Sequence, residues 1–248
     1  MIPSTLPDLP PAFADSARNL EVAAPGAEFV SLEAILQREP MADGFAGLLG
    51  KWGPGDHRAA VSLWTQGYFG RFFRPVLAYG LIHDIWFSPR LADVSVALSE
   101  IKIPARFALK RVQSASVEQH LWSIVHEHAQ PVIENIVSLT GTSERLHWSN
   151  ASFAFYRSYQ QIRTLWSEAE IPAAVATQRR QVERLMASDH PLFQLSRQIP
   201  GAQDEQGLVR KVCCIRFKLD GLKKCGAACP VGHLACSAHR KADIHARP

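Results

Sequence analysis

Five cysteines stand in this chain, and all of them fall between Cys213 and Cys236. Cys213 and Cys214 are adjacent, ten residues separate Cys214 from Cys225, and three separate Cys225 from Cys229. Cys214 to Leu219 alternates like a strand and Asp220-Gly221 is a tight-turn signal, so the chain is expected to fold back and set Cys225 and Cys229 opposite Cys213 and Cys214. Four converging thiolates suit zinc or an iron–sulfur cluster, since both favour tetrahedral sulfur at each metal. Structural zinc sites usually take two short cysteine knuckles, and only one is present here. Adjacent strand residues point to opposite faces, so Cys213 and Cys214 both reach metal only if the backbone bends or the ligands span more than one ion. A two-iron cluster is such an object. Any single one of these thiols reads most simply as a small buried apolar side chain; four together favour metal, with iron–sulfur ahead of zinc.

The elements that must position these thiols belong to an ordinary globular chain of 248 residues, 47% hydrophobic and 20% charged. That length fits one large domain with a small appendage. The excess of 27 basic over 23 acidic side chains is too small to imply nucleic acid. The opening MIPSTLPDLPPAF has neither a basic start nor an apolar core of an export signal, and its four prolines favour an extended, loosely ordered lead-in over 1–26. VLAYGLIHDIWF, at 76–87, contains His83 and Asp84 and is shorter than the ~20 residues a bilayer span needs. A soluble, cytoplasmic protein is expected, with reduced thiols.

Periodicity predicts a fold that is mainly α with a small β component (α+β): a helical domain over 27–205 and a cysteine segment with a basic tail over 206–248. Residues 27–50 read as a helix and a glycine-rich turn. Asp56 then caps a strongly apolar helix ending near Pro75, with a second apolar piece beyond Gly80. Residues 93–109 read as a short hairpin. Ser116 and Gln119 form a capping-box pattern ahead of a helix that reaches Gly141 with a kink at Pro131. Ser149 or Asn150 is expected to cap a helix to about Glu168, and Ala173 to Met186 forms another, with Val175, Val182 and Leu185 inward. The segment after it breaks the pattern.

The cysteine pattern, with Cys225-Gly226 and Cys229-Pro230, resembles the C-terminal [2Fe–2S] signature of FhuF-type ferric-siderophore reductases, C-C-x10-C-x2-C followed by proline. The present chain has three residues in the last interval, Gly226, Ala227 and Ala228. SLWTQGYFGRFFRPVLA at 62–78 is similar to the family's aromatic helix, and RLHWSNASFAFY at 145–156 to its Trp-x-Asn segment. The resemblance implies a [2Fe–2S] cluster held by Cys213, Cys214, Cys225 and Cys229, with Cys236 a spare, and substrate contact by Trp148 and Asn150.

It also implies one-electron reduction of Fe(III) in a siderophore, usually a hydroxamate. Fe(III) is gripped by hard oxygen donors far more tightly than Fe(II), so one added electron releases the metal. That chemistry belongs to a cofactor whose surroundings tune it. Arg210, Lys211, Arg216, Lys218, Lys223 and Lys224 surround the cysteines with a single acid, Asp220. This collar is expected to favour the reduced cluster and to dock an acidic electron donor such as a ferredoxin or flavoprotein. Peripheral membrane association is compatible with the pattern; nucleic acid is not expected as a partner. His126 and His128 sit two apart on different helix faces and do not form a joint metal site. His233, His239 and His245 read as a solvated tail. Two alternatives stay open: a siderophore-binding or interaction module with structural zinc, and a siderophore-assembly enzyme, although no Walker-type phosphate loop is present.

Overall fold

The computed structural model describes residues 6–22, 26–110, 112, 116–167, 170–198 and 207–230. Cys236, His233, His239, His245 and Glu168 lie outside the described residues.

The lead-in is not loosely extended where it is described. Pro11 opens a 3-10 turn to Phe13, a first-turn position where its missing N–H has no partner to lose, and α1 (Ala14–Ala17) follows. Phe13 is thereby fully buried, with the Arg74 guanidinium 5.4 Å from its ring. Strand β1 (Leu20–Glu21) then joins a four-stranded sheet. Residues 29–31 form β2 (Phe29–Ser31) instead of starting a helix, because Phe29 and Val30 pair with the edge of the hairpin at Ala97 and Val96. Ser31 caps α2 (Leu32–Ile35), its Oγ accepting from Ala34 N at 3.2 Å, and α3 (Arg38–Trp52) comes next.

Helix α4 (His57–His83) is the spine of the molecule. Asp56 caps it, accepting from Arg58 N at 3.0 Å. The helix runs straight through Pro75, contrary to the expected stop. Loss of one backbone hydrogen bond and the ring clash cost about 3 kcal/mol. Burying Phe72, Phe73, Val76 and Leu77 around the break offsets that, at roughly 1.5–3 kcal/mol per large apolar side chain. The helix ends at Asp84, in the left-handed region at φ 53°, and Trp86 folds back over Gly80 so closely that a Cβ there would lie 2.6 Å from its ring.

The hairpin is present as β3 (Val94–Leu98) and β4 (Pro104–Leu109), giving sheet order β1-β4-β3-β2 with β1 and β4 parallel. The Ser116–Gln119 capping box opens α5 (Val117–Ser123). The expected distortion comes before Pro131, as a π segment at Ile124–Ala129, and α6 (Gln130–Thr140) then ends on Gly141 at φ 64°. Next, α7 (Glu144–Arg163) packs along α4. Its cap position is Ser143, so Ser149 and Asn150 stand inside the helix and not at its start. Helix α8 (Ala173–Met186) buries Val175, Val182 and Leu185 as expected. One turn, α9 (Pro191–Gln194), leads to β5 (Ser196–Gln198), which pairs with β6 (Leu208–Arg210) and so ties the cysteine segment to the helical body. Among the described residues, no helix is long and apolar enough to cross a membrane.

Two histidines are locked inside this packing. His128 Nδ1 lies 2.8 Å from Pro89 O, so it carries the proton, and Nε2 accepts from the Tyr68 hydroxyl at 2.7 Å. His126, exposed to solvent, instead meets Gln130. His147 lies between Thr142 Oγ1 at 2.7 Å and Thr65 Oγ1 at 3.2 Å. Burial holds both His128 and His147 down to about 4. The unfolded chain takes up these protons near pH 6.5, so the contribution of the neutral rings is complete above 6.5 and falls as pH drops toward 4. From about pH 7 to about pH 5 the expected loss is roughly 2 kcal/mol per ring, read as a lowered urea midpoint. A midpoint that holds steady across that interval contradicts this assignment.

Candidate metal centre and adjoining cavity

The segment carrying the thiols is fastened to the start of α4 and to the loop before it. Asp56 N donates to Lys218 O at 3.2 Å, Gly221 N to Trp52 O at 2.6 Å, and Gly55 bridges Leu219. A Cβ at Gly55 would collide with the Lys218 carbonyl, so only glycine permits this approach. Asp56 also pairs with Lys218 Nζ at 3.1 Å, and hydrogen bonds from Arg58 first, then Lys218, hold its carboxyl far below the usual range. Ser62 Oγ donates to Cys214 O at 2.8 Å, and Ser149 Oγ to Val212 O at 3.3 Å.

Residues 214–219 do not continue as a strand. Ile215 takes a left-handed conformation at φ 49°, and Arg216–Lys218 make a 3-10 turn. This local bend ends the extended run immediately after the adjacent cysteines. The same conformation turns Ile215 N toward Cys213 Sγ at 3.4 Å and the Arg216 N–H toward Cys214. The extra residue between Cys225 and Cys229 is absorbed in a second 3-10 turn, Gly226–Ala228, with Gly226 at φ 64° and Cys229 N returning to Gly226 O at 3.0 Å.

All four predicted cysteines are brought together, and they meet as two pairs. Cys214 Sγ and Cys225 Sγ lie 3.7 Å apart, and the Cys213 side chain meets that of Cys229. Two thiolates on one tetrahedral metal with bonds near 2.3 Å stand about 3.8 Å apart, so the first pair has the spacing of a shared metal. Cys214 and Cys225 are driven in opposite directions. The hydrogen bond from Cys225 draws the Cys214 thiol down to about 5, helped by Arg210 and Arg216, while Cys225 is pushed up. Burial first, then charge interaction with Cys214 and Cys229, raises Cys213. Among the described residues, no three His, Cys, Asp or Glu side chains close on a single ion.

Behind the thiols lies Arg210, 5% exposed. Its Nη1 donates to Asn150 Oδ1 at 2.8 Å and to Ser149 O at 3.2 Å, its guanidinium covers the Phe153 ring at 4.0 Å, and its Nε is buried without a partner among the described residues. Burial pushes its pKa down, and the opposing charges it feels are those of Cys214, Cys225 and Cys213. A buried guanidinium that meets no carboxylate among the described residues is costly by several kcal/mol. A group that keeps these thiolates ionised would supply the opposing charge, so the donor set and its surroundings fit a thiolate-bound metal cluster.

Asn150 is the hub of this arrangement. Its Nδ2 reaches Thr65 Oγ1 at 2.8 Å, Ser62 Oγ at 3.1 Å and Ser62 O at 3.1 Å while its Oδ1 holds Arg210. It joins α4, α7 and the cysteine segment in one buried polar cluster that includes Ser62 and Thr65, two residues the sequence reading passed over. Asn150→Ala leaves several of these groups unpartnered and is expected to cost about 3 kcal/mol, measurable as a lower melting temperature. An unchanged melting temperature contradicts the hub role. Trp148, two residues earlier, is directed elsewhere: its Nε1 donates to Glu144 at 2.9 Å and its ring meets His190 edge-on.

A cavity of about 400 Å³ opens beside Cys225, lined among others by Gln66, Gly70, Asn150, Arg157 and Arg216, with Arg210 in its wall. The six-residue collar thus divides. Arg210 and Arg216 act directly on the thiols, Lys218 is engaged with Asp56, and Lys224 lies over Phe217 at 5.9 Å.

Fold and site together define a class of mainly helical α+β proteins that gather C-terminal thiols against a helical body beside a cationic cavity. The chain belongs, more particularly, to the family described as ferric iron reductase FhuF-like transporter, whose match spans residues 62–198, more than half of the sequence. No curated protein matches the chain. Family membership supports a ferric-iron reductase-like role. The matched span contains Ser62, Asn150 and Arg157 and ends before the first cysteine.

Proposed function

We propose that this protein is a cytoplasmic ferric-siderophore reductase, with residues 206–248 as its cluster-binding segment and 27–205 as the domain that receives the siderophore. The observation that carries this reading is the pairing of four thiols next to a cavity into which Cys225 faces. Cys213, Cys214, Cys225 and Cys229 would hold a [2Fe–2S] cluster, which when bound supplies reversible one-electron transfer. Arg210 balances the negative charge of the thiolates, and the Ile215 and Arg216 N–H groups donate to sulfur, both of which favour the more reduced, more negative state. Asn150 keeps Arg210 in place. The substrate, siderophore-bound Fe(III), gains one electron and leaves as weakly held Fe(II); a ferredoxin or flavoprotein restores the electron.

The test is anaerobic mixing of the chemically reduced protein with a ferric hydroxamate and a colorimetric Fe(II) trap. One Fe(II) is expected for each cluster oxidised. Release no faster than with the reductant alone contradicts the proposal.

A further inference from the structure

A second cavity, of about 350 Å³, lies between α3, α4 and the turn that joins β3 to β4, and it shares no lining residue with the cavity beside Cys225. That volume is at the small end of the roughly 300–1,000 Å³ of ligand pockets. Two glycines build it. Gly47 on α3 lets the hairpin turn close down, since a Cβ there would collide with the Ile101 carbonyl. Gly67 on α4 makes room for a side chain of its own helix: the Arg71 guanidinium folds back over it, with Nη1 2.8 Å from where a Cβ would stand. The walls are apolar, with Leu48 and Ile103 buried and Trp52, Leu63 and Ile101 partly buried.

Inside this apolar cleft stands Arg71. It is partly buried, burial pushes its pKa down, and no hydrogen bond or ion pair among the described residues offsets that. Glu100, the acid of the lining, is exposed on the hairpin turn and makes no ion pair with Arg71. Lys51, at the rim, lies over the Trp52 ring at 5.4 Å. A guanidinium withdrawn from water without a counter-charge is unfavourable, and its fork of donors matches a carboxylate. We infer that this cavity binds small amphipathic carboxylic acids, the carboxylate held by Arg71 and the hydrocarbon body by Trp52, Leu63 and Ile101. The site is separate from the cavity beside Cys225, and the inference does not depend on the reductase reading.

Octanoate, octanamide and acetate carry head and body, body alone and head alone, and each is titrated calorimetrically into the full chain with its cluster. Octanoate is expected to bind about tenfold or more tightly than either of the others. Arg71→Gln is expected to bring octanoate down to the level of octanamide. The visible spectrum and Fe(II) release should stay as they are in this variant, and its melting temperature should not fall, because the group removed is an unpartnered cation. Gly67→Ala keeps the charge and favours the helix but pushes the guanidinium aside, and is expected to weaken octanoate about threefold. Octanoate no tighter than octanamide, acetate as tight as octanoate, or a preference for octanoate that survives Arg71→Gln overturns the inference; should Arg71→Gln fail to fold, a preference untouched by Gly67→Ala overturns it. The spectrum and the iron chemistry are read separately, so the reductase reading stands or falls on its own test.

Discussion

Cys225→Ser is expected to remove the visible absorption of the purified protein and to bring iron and acid-labile sulfide down to background, with Cys214→Ser doing the same. The two sulfurs stand 3.7 Å apart, the spacing of two ligands on one metal, and Arg210 and Arg216 favour the thiolate form of Cys214. Serine puts a hard and far less acidic oxygen in that place, which soft-metal coordination does not favour. The helical body should survive, because Cys225 is only half-buried in the 3-10 region at the chain's end and contributes no side chain to the main core. Unchanged far-ultraviolet dichroism with a bleached spectrum is therefore the expected pair of results. Cys229→Ser should behave like Cys225→Ser, and Cys236→Ser should keep its colour. Colour retained in Cys229→Ser and lost in Cys236→Ser contradicts the ligand assignment.

Arg210→Met is expected to lower the reduction potential of the cluster by roughly 40–85 mV. A charge interaction in partly buried surroundings is worth about 1–2 kcal/mol, and 1.4 kcal/mol corresponds to about 59 mV for one electron. The sign follows from the charge. Reduction adds an electron to an already negative centre, so removing the cation behind it disfavours the reduced state. Arg210→Lys keeps the charge but not the fork that meets Asn150 and Ser149, and is expected to recover part of the shift. Potentiometric titration followed by visible absorption checks both variants. A potential that stays the same in Arg210→Met, or rises, contradicts the electrostatic role given to this residue.

Much of this arrangement can be read from the residues. The thiol spacing marks the centre, the Ser116–Gln119 pair marks a helix start, and the alternation over 93–109 marks the hairpin. Other features depend on tertiary context. Pro75 normally ends a helix, but here the apolar residues on both sides are buried, and the packing outweighs the local penalty. Phe29 fits a helical period as well as a strand, and only the neighbouring β3 edge decides it. Ser149 and Asn150 have the chemistry of cap residues, yet they serve as interior partners, since they bond to a segment some sixty residues further along and Asn150 also to Ser62 and Thr65 on α4. A signal for the cavity was present. Gln66 and Gly70 stand at i and i+4 on α4, and Asn150, Phe153 and Arg157 at i, i+3 and i+7 on α7, so each set shares one helix face that lines the cavity. Two such faces opposite one another outline the site; each alone resembles ordinary helix surface.

The metal that the four thiols hold decides most directly whether this protein is a reductase. Protein purified without air, assayed for iron, acid-labile sulfide and zinc and recorded by visible absorption, is predicted to be red-brown, to contain about two iron and two sulfide per chain, and to bleach on one-electron reduction. A colourless protein with stoichiometric zinc and no labile sulfide contradicts the reductase reading.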